Sequence, residues 1–171
     1  SRVFKIILSL AMMVAVTVIL LFTAEAPADE DYLPRKWEKF ALGQSINELK
    51  NDLALFKCTE PSSKATRCML AGYPERDDFV VLKFYKNKLA SASQFKYKSD
   101  WENSLEQLRD RLGDPTFSAY RSSRAVAYIW QDDRTHITLT HLIEQSYVIY
   151  EIRDLDTEPL YRKSVAAGKS D

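Results

Sequence analysis

Residues 79–97 read FVVLKFYKNKLASASQFKY, and the parsing of this stretch decides the fold. Phe79 to Tyr85 is rich in β-branched and aromatic residues, Lys86-Asn87-Lys88 is a tight polar turn, and Leu89 to Tyr97 returns with strand-like composition. Such side chains fit a pleated, half-buried surface, so the stretch predicts an antiparallel hairpin. Thr66 to Ala71 extends it on the N-terminal side. The pattern recurs downstream as Phe117 to Arg121, Ala125 to Gln131, an Asp132-Asp133-Arg134 turn, Thr135 to Leu142 and Tyr147 to Arg153.

A helix is expected in front of each strand set. Ser45-Ile46-Asn47-Glu48 is a capping box, in which a hydroxyl and a carboxylate satisfy otherwise unpaired backbone donors. Ile46, Leu49, Leu53 and Phe56 follow at helical spacing and predict a helix over 45–56 with one buried side. Ser99-Asp100-Trp101-Glu102 opens a second helix, Trp101, Leu105, Leu108 and Leu112 form its apolar stripe, and Leu112-Gly113-Asp114-Pro115 ends it. The expected fold is α+β, with two α-plus-antiparallel-hairpin repeats at about 42–98 and 99–156 and helices packed on an antiparallel sheet. Residues 29–41 read as a charged linker and 157–171, where periodicity is lost, as a flexible tail.

The start of the chain speaks to compartment. Arg2 and Lys5 precede an unbroken apolar run from Ile6 to Phe22, after which the sequence turns polar and acidic. Residues 1–28 are therefore either a signal peptide cut after Ala28, using Ala26-Pro27-Ala28, or an uncleaved N-terminal hydrophobic helix. As a helix the run reaches about 26 Å, just short of a typical ~30 Å hydrocarbon core, and the basic flank would hold its N-terminus in the cytoplasm. Both readings export the domain, to the bacterial periplasm or an equivalent space.

An exported protein can keep a disulfide, and Cys58 and Cys68 flank the polar segment TEPSSKATR. Their spacing is not Cys-x-x-Cys, and two sulfurs without nearby histidines make a poor zinc site. A structural disulfide is expected in preference to free thiols or a redox or metal pair.

Around these elements a family likeness emerges. The phrase LGQSINELKNDL, through Gly43, Ser45, Glu48, Leu49 and Leu53, resembles the helix entry of the β-lactamase-inhibitor-protein-like and SmpA/OmlA (BamE) envelope domains. FVVLKFYKNKLASASQFKY looks like their hairpin, and LGDP like their helix end. The resemblance covers residues 41–153 in element order. The chain departs from it by lacking the lipidated cysteine of the BamE-type proteins and by having one helix per unit. The resemblance implies a protein that binds other proteins or envelope components through its sheet and loops, without catalysis.

The 24 basic and 24 acidic residues balance, which argues against nucleic acid as partner. There is no nucleophile elbow, phosphate loop or zinc-protease motif, and no catalytic, cofactor or metal residue is assigned. His136 and His141 are five apart in one strand and so fall on opposite faces. His136 shares its face with Thr138 and Thr140, either as ordinary sheet surface or as a binding row. Asp132, Asp133 and Glu151 lie near turns and strand ends, where carboxylates usually serve the backbone; a hydrolase using them is the remote alternative. Lys83, Lys86, Lys88, Lys96 and Lys98 make the hairpin basic. They read either as a device that protects a strand edge or as a contact for anionic lipid head groups or an acidic partner. Trp37 is the expected exposed interaction anchor. The leading expectation is thus a non-enzymatic exported binding module whose partner is another envelope protein; the runner-up is an accessory subunit of a membrane complex held by an uncleaved helix.

Overall fold

The computed structural model describes residues 32–121 and 124–168. The expected signal or anchor at 1–28 lies outside them. Among the described residues no helix is long and apolar enough to cross a membrane.

The protein is α+β, as expected. Two short strands, β1 (Lys36–Trp37) and β2 (Phe40–Ala41), are followed by β3 (Lys57–Ser62), β4 (Ala65–Ala71), β5 (Phe79–Tyr85) and β6 (Lys88–Tyr97). Helix α1 (Trp101–Leu112) leads to β7 (Phe117–Arg121), β8 (Ala125–Gln131), β9 (Thr135–Leu142), β10 (Tyr147–Asp154) and helix α2 (Glu158–Gly168). Strands β3 to β10 form one antiparallel sheet in the order β3-β4-β5-β6-β10-β9-β8-β7. Two four-stranded meanders therefore meet at a β6–β10 seam, where Tyr97 lies opposite Tyr147 and Ala92 opposite Ile152.

Alternation along the strands builds the core. Val80, Leu82 and Phe84 of β5 share a face with Cys68, Ala92, Ile152, Ile137 and Trp130 across the registers. All are buried, and they join Leu49, Leu53 and Leu108 in one cluster. Apolar burial of this extent is the main driving force for the fold. Trp130 also donates its indole N–H to the Gly113 carbonyl at 2.9 Å, which locks the end of α1 to β8.

Several expectations need correction. The capping box at Ser45 is present: the Ser45 amide donates to Glu48 Oε2 at 2.6 Å, and the Glu48 amide to Ser45 Oγ at 3.2 Å. Residues 46–55 nevertheless form successive turns with mixed i−3 and i−4 hydrogen bonds, not a regular α-helix. Ser45 bridges Lys88 and the Ile46 amide donates to the Asn87 carbonyl, so the segment is pinned to the β5–β6 turn. Asn47, Asn51 and Asp52 also have low intrinsic helix propensity. At α1 the N-cap is Asp100, whose carboxylate accepts the Asn103 amide, one residue after the expected Ser99.

Three segments that looked irregular are ordered. Residues 57–62 form the edge strand β3, polar and mostly exposed, where Pro61 is tolerated because an edge need not donate. The linker docks: β1 and β2 close a tight hairpin that brings Trp37 opposite Phe40, and the stacked rings lie 5.8 Å apart in the core. Within the tail, 158–168 is helical, with Glu158 and Tyr161 buried. Its start is fixed by Asp154, whose Oδ1 accepts the Thr157 amide and hydroxyl.

Candidate functional site

The two faces of the sheet are covered unequally. The core face lies beneath the 46–55 turns, α1 and the lead-in hairpin. On the opposite face α2 packs over β3 to β6, where the Lys83 ammonium sits over the Tyr161 ring. Helix α2 sits over the Lys83–Tyr85 end of β5, so the Phe79 end of β5, the Phe95 end of β6, and β10, β9 and β8 carry no covering helix on this face among the described residues.

That open area is graded from aromatic to polar. At the Phe79 end, Phe79 and Phe95 stack with ring centroids 4.2 Å apart, and Tyr147 meets both edge-on. Tyr97 adjoins Tyr147 at 5.3 Å, and the Tyr147 hydroxyl donates to the Asp77 carbonyl, fixing the group to the β4–β5 loop. Tyr97 and Ile143 at this end are 37 and 46% exposed. At the other end, Thr138 and His136 lie beside Glu151 and Arg153 in register. Ser93 donates to Glu151 Oε2 at 2.9 Å, and Arg153 Nε stands 3.2 Å from Glu151 Oε1 as an ion pair without hydrogen-bond alignment. Burial and the Arg153 charge hold the His136 imidazole below its ordinary value against the pull of Glu151, so the ring is neutral at pH 7 and accepts or donates as its tautomer dictates.

The sequence-selected residues fall as follows. His136, Thr138 and Thr140 share the open face, half-buried; His141 lies on the core side, stacked on Trp101. The five lysines do not make one patch. Lys83 is beneath α2, Lys86 and Lys88 flank one end of the hairpin, Lys96 is on the core face, and Lys98 follows β6 in a turn over the Tyr97 ring. Lys96 and Lys98 therefore do not share a strand face, because the strand ends at Tyr97. Trp37 is 8% exposed, which removes it as an external anchor. Its stacking on Phe40 in the tight hairpin is the reason. Cys58 and Cys68 form the expected disulfide, directly across β3 and β4.

Comparison with known proteins gives no match to any family model, curated protein or solved structure.

Among the described residues no group of three or more His, Cys, Asp or Glu side chains is placed to hold a metal ion. Asp132 is engaged by backbone: its Oδ1 accepts the Arg134 and Thr135 amides and its Oδ2 the Leu33 amide. Burial raises its carboxyl, but these three bonds and the Arg35 charge together hold it below the ordinary value. The acidic turn is thus a clasp for the lead-in. Sequence reasoning missed the aromatic cluster because its members come from β5, β6 and β10, and only pairing unites them. Their alternate spacing, Phe95 with Tyr97 and Tyr147 with Ile149, was the available signal.

Proposed function

We propose that the domain is a non-enzymatic binding module of an exported, oxidising compartment and that it takes another folded protein on the open part of its sheet. The carrying observation is the concentration of Phe79, Phe95, Tyr97 and Tyr147, with exposed Ile143, at one end of the sheet face opposite the core. Aromatic anchors bordered by polar residues such as Thr138 and Thr140 are the composition from which protein interfaces draw most of their energy. The Cys58–Cys68 disulfide supports the compartment. The palindromic strand order, with a run of turns ahead of the first meander and helix α1 ahead of the second, supports reading 42–98 and 99–156 as two copies of one unit, as in the inhibitor-like envelope domains.

Site-specific photo-crosslinking tests the proposal. A photoreactive side chain at Tyr97 or Ile143 yields one discrete adduct in envelope extracts, whereas the same group at Leu160, on the exposed side of α2, yields none. Equal labelling at all three positions, or free monomer throughout, rejects the reading. Mass spectrometry of the natural N-terminus separates a secreted module, beginning at Asp29, from an accessory subunit that keeps residues 1–28.

A further inference from the structure

A second site lies on the core side of the sheet, above the β6–β10 seam. A cleft of about 620 Å³ opens there between α1 and the lead-in hairpin, within the range of small-molecule pockets. Its floor is Gln94 and Lys96 of β6, Val148 and Tyr150 of β10, and Leu139 of β9. Leu108 and Arg111 of α1 form one wall, and Lys36, Trp37 and Glu38 the other.

Of the polar groups lining this cleft, Ser104 donates to the Asp100 carbonyl, whereas Lys36, Gln94, Lys96 and Arg111 make no side-chain hydrogen bond among the described residues. Gln94 is 8% exposed and makes no side-chain hydrogen bond among the described residues. Its amide nitrogen and oxygen are not sealed from solvent, so they open into the cleft as a donor and an acceptor for a ligand group. Lys36, Lys96 and Arg111 have no carboxylate partner at ion-pair distance among the described residues, and against them stands the single acid Glu38. Tyr150 lies among them: burial raises its phenol above the ordinary value although the Arg111 charge opposes this, so it presents an O–H donor. Donors and positive charge thus line a space whose remaining walls, Trp37, Leu108, Leu139 and Val148, are apolar.

We infer that this cleft binds a small organic anion, with its oxyanion group held by Arg111, Lys96, Gln94 and Tyr150 and its apolar body against Trp37, Leu108 and Val148. Arg111 supplies a planar fork suited to two oxygens, and Lys96 a point charge. The site lies on the face opposite the aromatic group, on alternate residues of the same strands β6 and β10.

The test is titration of the full-length ¹⁵N-labelled chain in a zwitterionic detergent with 4-phenylbutyrate, following the Gln94 side-chain amide by NMR. Saturable shifts at Gln94 and along α1 are expected. Arg111→Ala and Lys96→Ala each raise Kd at least tenfold, while Lys163→Ala on α2 leaves it unchanged. The neutral 4-phenylbutyramide binds at least tenfold more weakly, and inorganic phosphate at the same concentration shifts Gln94 far less. Equal binding of the amide and the carboxylate, equal shifts with phosphate, or Kd values within twofold of wild type in both cation variants would overturn the assignment. Gln94→Leu keeps the side chain's bulk, so its loss of binding with an unchanged fold by circular dichroism separates ligand recognition from structural damage.

Discussion

Asp154 shows how much one side chain can organise. One carboxylate oxygen meets the Arg35 guanidinium of the lead-in, while the other accepts the Asp156 and Thr157 amides and the Thr157 hydroxyl that start α2. Burial raises this carboxyl, but the Arg35 and Thr157 hydrogen bonds and the Arg35 charge outweigh it and hold the carboxyl below its ordinary 3.8. The stabilisation is therefore complete above that ordinary value and is lost as pH falls through the lowered one. Asp154→Asn leaves Arg35 with only its bonds to the Arg134 carbonyl and Thr135 hydroxyl and weakens the cap, and a loss of about 2 kcal/mol is expected in urea unfolding. The variant also shows a flatter acid limb below about pH 4 than wild type, since the linked proton is gone. His136 acts in a higher window. Its folded value lies below the ordinary 6.5, so the unfolded chain takes the proton first and stability declines as pH falls below 6.5. His136→Gln removes that slope in thermal melts between about pH 7 and 5.

Among the elements, what sequence reveals depends on how each is held. Strands β4 to β10 were legible because β-branched and aromatic residues are concentrated between polar turns, with burial alternating clearly along β9, and α1 because its apolar stripe faces one layer. Helix α2 was not, because few of its residues are buried and its period is faint. The cue was local: Thr157 precedes Glu158 and Pro159, a capping residue ahead of a proline in the first turn. Tyr161→Ala should lower stability by about 3 kcal/mol and raise hydrogen exchange in β5 and β6, which α2 covers, more than in β8 and β9. The 45–56 segment misled in the other direction, since a helical spacing of apolar residues also fits successive turns that bury the same side. The β3 edge was hidden by polar composition. Replacing both Cys58 and Cys68 by alanine frees this edge, with an expected loss of about 2.5–3 kcal/mol by loop-closure entropy and fast exchange confined to β3 and the start of β4.

At the level of the molecule, the seam makes two meanders into one sheet. Ala92 and Ile152 face each other across it, both fully buried in the common cluster. A shared core predicts one cooperative transition, with calorimetric and van't Hoff enthalpies in agreement. Ile152→Ala, at the join, should lower stability by about 2–5 kcal/mol without splitting that transition. Two resolved transitions would instead show that the halves melt independently. The sequence suggested two units but not how they meet, because β6 and β10 carry ordinary strand patterns and nothing in either names its partner. The cleft above the seam was hidden for the same reason: Gln94, Arg111 and Lys36 are unremarkable until the fold assembles them.

The same seam sets an order of events. Its paired residues are separated by roughly 50 to 60 positions, whereas each meander closes through neighbouring hairpins, so the seam is the contact with the largest loop-closure cost and forms late. A chain delivered N-terminal end first completes β3 to β6 before β10 exists, leaving β6 for that interval as a naked edge. The small residues Ala90-Ser91-Ala92-Ser93 occupy the middle of that edge. They offer little apolar surface to a stray strand, so β6 can wait for β10 with low risk of pairing with another copy.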